Sequence, residues 1–238
     1  MTAKEMAKPA AHIAKSGASQ TGAVRRPGRP AGGASGTEQR GRLLDTALAL
    51  FARQGILNTT LGDIAREAGM TPAMVHYYFK TREQLIDVVI DERFLPLRAA
   101  ISGVFEANAS DPVAAITQLA QRLVDVATEY PWFAPLWVRD VVSEGGILKQ
   151  RMHERFGDAH QKALGRRIAK WQEAGQLNAD LEPSLVIPAL LGLTLLPLAF
   201  AKIWRNDPAR RRIGAEEIAR HAVALLTHGV GPKSDGRT

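Results

Sequence analysis

Thr60, Thr71 and Thr81 each stand where a helix can begin, and each brings a hydroxyl oxygen to backbone N–H groups that have no partner inside the helix. A helix N-terminus joins those N–H groups to a positive partial charge, which suits phosphate. Donors of other kinds surround them. Lys80 and Arg82 carry whole charges, and Tyr77 and Tyr78 have hydroxyl protons to give to phosphate oxygens. His76 adds a polar edge, while Pro72, Ala73 and Met74 form an apolar surface of the kind that meets thymine methyl groups. No Arg, Lys, Asn or Gln stands at 72–74 to read purine edges with paired hydrogen bonds.

These side chains act together only if short helices hold them. Asp63 lies three residues after Thr60, the spacing of a reciprocal cap, and Ile64, Ala65 and Ala68 make one apolar face. Gly69 is the residue that most cheaply takes the left-handed conformation that ends a helix. Pro72 follows the next cap, Thr71, at the first helical position, where its missing N–H costs nothing. On this second helix Ala73, Val75 and Phe79 are expected to face inward, leaving Pro72, Met74, His76, Tyr77 and Tyr78 wholly or partly outside. Two short helices across a glycine turn form a helix-turn-helix, whose second helix enters the DNA major groove. The alternative is an ordinary helical hairpin with both tyrosines half buried. Upstream, Leu43, Leu44, Ala47, Leu48 and Phe51 recur at helical spacing until Gly55. Downstream, Thr81 and Gln84 cap a fourth, longer helix carrying Leu85, Ile86, Val89 and Ile90, with a bend expected before Pro96.

Phe51, Gly55, Thr60, Ile64, Ala65, Ala68, Gly69, Thr71, Tyr77, Phe79, Lys80 and Leu85 stand at the spacing of the TetR family of transcriptional regulators, which residues 38 to 90 closely resemble. The resemblance implies an all-α, dimeric DNA-binding protein whose C-terminal helices bind a small molecule that alters operator affinity. Gly62 departs from the family, whose members often carry a basic or polar side chain there that reaches DNA. The expected contacts are Arg29, Thr60, Thr71, Pro72, Ala73, Met74, His76, Tyr77, Tyr78, Lys80 and Arg82. Two recognition helices on a two-fold axis imply a palindromic double-stranded operator.

The chain has 238 residues and a net charge of +7. Residues 1–36 hold six basic side chains and one acidic, whereas residues 37–85 hold six basic and five acidic, so the tail carries the electrostatics. Rich in Ala, Gly, Ser and Pro, residues 1–36 are expected to be disordered, as are 231–238. Arg25 to Pro30 resembles an AT-hook core, in which Arg29 would enter a narrow minor groove; a solvated basic tail that raises only nonspecific affinity is the other reading. Residues 37–85 are the expected DNA-binding domain and 86–230 a helical effector-binding and dimerisation domain.

In that second domain Asp111 and Pro112 open a helix towards Glu129, a long helix is expected from Leu148 past Phe156 and Trp171 to Gly175, and two more span about 183–204 and 215–228. Trp132, Phe133, Trp137, Met152, His153, Phe156 and His160 are candidates for an effector pocket, with Arg139 as anchor for an anionic ligand; core packing is the plainer reading of each aromatic. From Leu185 to Ala201 no charge occurs, yet the stretch is short for a membrane span and contains Pro188 and Pro197. Burial against a second subunit is expected instead, through Leu190, Leu193, Leu196 and Phe200, with Ile218, Ala222 and Leu225 completing a four-helix homodimer interface. The chain has no cysteine and no secretory apolar run at its start, consistent with a cytoplasmic protein. Enzyme motifs are missing, and no cofactor or metal is expected, since His153 and His160 stand alone.

Overall fold

Side-chain caps at Thr60, Thr71, Thr81 and Asp111 start four of the helices. The computed structural model describes residues 36–143, 145–204 and 206–231, which form helices and turns with no strand among the described residues. Arg29 with the rest of the basic tail, and residues 232–238, lie outside the described residues.

Helix α1 (Gly36–Gln54) buries the expected face, Leu43, Leu44, Ala47, Leu48 and Phe51, and adds Leu50. Gly55, at φ 89°, ends it. Helices α2 (Leu61–Ala68), α3 (Pro72–Tyr78) and α4 (Arg82–Val89) follow. Phe51, Ile64, Val75, Phe79 and Leu85 meet in their shared core, each essentially without solvent contact. Truncating a buried aromatic such as Phe79 to alanine costs about 3–5 kcal/mol, so this core sets the crossing of α2 and α3.

The irregularity expected before Pro96 takes the form of a widened turn, Ile90–Phe94, in which the Leu95 N–H donates to the Ile90 carbonyl five residues back. Helix α5 (Leu95–Ala107) continues from it. Helix α6 (Pro112–Glu129) is capped as expected: Asp111 accepts from the Ala114 N–H at 3.0 Å. It lies against α5 and the last two helices, α10 (Val186–Trp204) and α11 (Ala215–Val230). Between them come α7 (Phe133–Leu136), a second wide turn (Trp137–Val141), α8 (Ile147–Phe156) and α9 (Ala159–Glu173). The single long helix expected from Leu148 to Gly175 is therefore two. Gly157, at φ 56°, breaks it and donates its N–H to the His153 carbonyl at 2.7 Å. An apolar stripe of helical period continues across this break, so periodicity alone does not show it.

Candidate nucleic-acid interface and ligand cavity

The α2–α3 turn is assembled from the predicted residues. Thr60 accepts the Asp63 N–H at 3.1 Å, and Asp63 Oδ2 accepts both the Thr60 N–H (3.0 Å) and its hydroxyl (2.7 Å). Those two bonds from Thr60, helped by Arg66, hold the Asp63 carboxyl below the usual carboxylate range. Gly69, at φ 67°, lets the Met70 N–H reach the Ala65 carbonyl at 2.9 Å, and the Arg42 guanidinium of α1 covers the Ala68 carbonyl at 3.1 Å. Thr71 accepts the Met74 N–H at 3.3 Å. Thr81 accepts the Gln84 N–H, while the Gln84 side chain reaches past Thr81 to the Lys80 N–H at 2.9 Å.

Thr60, Thr71, Pro72, Ala73, His76, Tyr77 and Lys80 are exposed and Met74 is half-buried. Ala73 faces outward, contrary to the inward face expected for it, because α3 is only seven residues long and buries Val75 alone. Tyr77 is 82 % exposed, so it is not the half-buried tyrosine that a plain helical hairpin would hold at this position. Tyr78 sits edge-on beneath it with ring centroids 5.2 Å apart. The Tyr78 hydroxyl donates to Gln39 of α1 at 3.3 Å, so Tyr78 supports the surface more than it forms it. Arg82 is partly exposed; it donates to the carbonyl of exposed Leu57 at 3.2 Å and faces Glu83 at 3.8 Å. Thr60 gives its hydroxyl proton to Asp63, which leaves first-turn backbone N–H groups as the donors of α2.

A cavity of about 550 Å³ opens among α5, α6, α8, α9 and α10. Phe133, Trp137, Met152, His153 and Phe156 line it, with Phe94, Ile101, Phe105, Leu119 and Leu190. Trp132 does not reach it and packs instead on Phe94, Tyr130 and Phe133. Arg139 is also elsewhere: its side chain lies against Gly55 at the end of α1, which removes it as a ligand anchor. The side chain of His160 lies outside the described residues. Sequence reasoning missed Arg98, Lys149 and Arg167, cations that line the cavity.

Helix α8 joins the cavity to α4. Met152, His153 and Phe156 look into the cavity. Arg151 pairs with Asp87 at 3.1 Å and Arg155 with Asp91 at 2.8 Å, Arg155 also donating to the Asp87 carbonyl. Two cations spaced i, i+4 on α8 meet two carboxylates spaced i, i+4 on the neighbouring helical segment, a match that only the fold brings together. At its other end α8 has no side-chain cap of its own; buried Asp140 accepts the Leu148 N–H at 2.6 Å. Burial pushes the Asp140 carboxyl up, against the pull of backbone N–H groups from Leu148 and Ile147.

The family pattern described as "Bacterial regulatory proteins, tetR family" matches residues 43–89, which run from α1 to the end of α4. The HTH-type transcriptional regulator BetI of Rhizobium meliloti is 34 % identical over 93 residues, 38 % of this chain and 46 % of BetI. SrpR of Pseudomonas putida, another HTH-type transcriptional regulator, is 26 % identical over 155 residues, 64 % of this chain and 70 % of SrpR. The ketosteroid transcriptional regulator KstR2 of Mycobacterium tuberculosis shares the fold, with a TM-score of 0.62 at 20 % identity over 86 % of this chain and all of KstR2.

The chain belongs to the TetR family.

As a TetR-family regulator it is an all-α DNA-binding transcription factor and not an enzyme. The chain spans less than half the length of BetI. In the regulator's last two helices the structure corrects the expected dimer face. Leu190, Ile218 and Ala222 are buried within the single chain, Leu190 at the cavity and the other two in the α6–α10–α11 packing, so they have no surface to give a partner. Leu193 is half-buried, while Leu196, Phe200 and Leu225 are exposed, together with Leu185 and Ile203. The reason is phase: α10 is apolar on every side, and its sequence does not say which side meets its own bundle. Pro183–Ala201 is also the one stretch among the described residues long and apolar enough to cross a membrane.

Proposed function

We propose that the regulator is a cytoplasmic homodimeric repressor that holds a palindromic operator and is released by a small, partly apolar effector. Residues 37–85 form the DNA head and 86–230 the effector and dimer domain. The observation that carries the reading is the double role of α8, whose one side lines the cavity while Arg151 and Arg155 on the other hold α4. A cavity of about 550 Å³ is within the usual size of small-molecule sites, roughly 300–1,000 Å³. An occupant that moves α8 moves α4, and with it the spacing of the two recognition helices. Release requires that the effector bind better to the wrongly spaced state, because equal affinity for both states shifts nothing.

The exposed row Leu185, Leu196, Phe200 and Ile203, joined by Leu225 of α11, supports pairing with a second copy across a two-fold axis rather than insertion in a membrane. The two α3 helices then meet successive major grooves, about 34–36 Å apart. Selection of bound sequences from random duplexes tests the operator, and a palindrome is expected. Sedimentation of the full chain with Phe200→Lys separates dimer from monomer. Anisotropy titrations with compounds that raise its melting temperature test release: such a compound weakens operator binding, and operator weakens compound binding by the same factor. Independence of the two would remove the effector from the proposal.

A further inference from the structure

We propose that the cavity takes an amphipathic monoanion whose carboxylate sits on Arg98 and whose apolar body lies among the cavity's aromatic rings. This rests on the effector reading above and names the chemistry of the effector.

Charge around the cavity is unevenly matched. Its carboxylates are engaged: Glu106 receives a two-pronged contact from Arg167 at 2.9 and 3.0 Å, and Asp158 faces His153 at 3.2 Å. Arg98 has no carboxylate partner among the described residues. The residue is half-buried and its guanidinium carbon rests 4.8 Å from the centroid of the Phe156 ring. A ring face is a weak substitute for water or a counter-ion, so a cation so placed gains from an arriving anion. The planar guanidinium fork matches a carboxylate with two parallel hydrogen bonds. Lys149, the other cation without a carboxylate partner at the cavity, is exposed and already hydrated.

Beyond Arg98 the wall changes character. Phe94, Phe105, Phe133, Trp137 and Met152 offer rings and a thioether to an alkyl or fused-ring body. One charge at one end and apolar walls at the other define the class of ligand. Because Phe156 belongs to α8, a carboxylate that draws Arg98 off its ring acts on the helix that carries Arg151 and Arg155.

The test uses the full chain with three probes: dodecanoate, dodecanol and dodecylammonium, each below its micelle or solubility limit, by calorimetry and by quenching of tryptophan fluorescence. Dodecanoate is expected to bind about tenfold more tightly than dodecanol, the gain of one charge-assisted contact, with dodecylammonium weakest. Arg98→Gln should bring dodecanoate down to dodecanol's affinity, and Arg98→Lys should restore part of the difference. Equal binding of dodecanoate and dodecanol, or an undiminished preference in Arg98→Gln, overturns the anchor and leaves the effector site standing. Arg98-dependent binding that fails to loosen the operator supports the anchor and counts against the effector reading. Binding by none of the three removes both.

Discussion

Tyr77→Phe removes one hydroxyl from a residue that is 82 % exposed, and Tyr77→Ala removes the ring as well. Neither touches the core: the ring's one aromatic neighbour is Tyr78, edge-on at 5.2 Å, and Tyr78 keeps its own bond to Gln39. Such surface changes alter stability by no more than about 0.5 kcal/mol, which in a chain of this size moves Tm by roughly 2 °C or less. The loss falls on DNA. A hydroxyl hydrogen-bonded to a charged phosphate contributes about 1.5 kcal/mol or more, and two subunits double it, so the operator Kd should rise by roughly two orders of magnitude. Fluorescence anisotropy of a labelled operator at several salt concentrations measures this. Because the tyrosine is neutral, the slope of log K against log salt should stay as in the parent protein, whereas Lys80→Ala should reduce that slope by about one for each phosphate the lysine neutralises. A Tyr77→Ala protein that holds its operator within about threefold of the parent would show that α3 does not face the groove.

Three more predictions concern α8 and its neighbours. Asp87→Asn with Asp91→Asn breaks both ion pairs to α8; being partly exposed, each pair contributes at most about 1 kcal/mol to stability, yet ligand-induced release should weaken several-fold while ligand-free operator binding barely changes, which paired anisotropy titrations would reveal. Asp140 has its carboxyl pushed up by burial, so its ionised form opposes folding above that raised value and the penalty fades as pH falls towards the unfolded value. Urea titrations across pH should find Asp140→Asn, which keeps an acceptor for Leu148 N–H, as stable as the parent at neutral pH or more so, and Asp140→Ala weaker by about 1–3 kcal/mol for an orphaned buried N–H. A Cβ at Gly146 would stand 1.7 Å from the Asp140 carbonyl oxygen, so Gly146→Ala should cost about 3 kcal/mol or more, whereas Gly165→Ala, in the open interior of α9, should raise stability by about 0.5–1 kcal/mol; thermal melts compare them.

Local signals in the sequence were sufficient for the caps of α2 and α3. Thr60 with Asp63, Gly69, and Thr71 with Pro72 are decisions made within four residues of chain, and each is visible as residue type and spacing. Assignments that depend on a neighbour far along the chain were not legible. Leu190, Ile218 and Ala222 show the same apolar period whether they meet their own bundle or a second copy. Arg139 and Arg98 are both arginines near aromatic residues, and only the folded backbone puts one against Gly55 and the other over Phe156. For Tyr78 and Arg82 the sequence gives the residue type but not the protein partners, Gln39 and the Leu57 carbonyl. Gly157 was readable as a stop, but an apolar stripe running through it outweighed one residue.

The widened turn at Ile90–Phe94 weakens the helix as a rigid rod. Pro96 has no N–H for the Glu92 carbonyl, which instead receives the Arg93 guanidinium at 3.4 Å, a long and loosely held substitute for a backbone rung. Torque applied at Arg98 would partly dissipate in this joint before arriving at Thr81. Helix α8 works as a splint across it: Phe156 lies under Arg98 on the far side, while Arg151 and Arg155 fasten to Asp87 just before the joint and Asp91 at its start. A signal from the proposed effector would thus have a route around the soft section, and the proline can be tolerated there because the stiffness it takes from one helix is supplied by another.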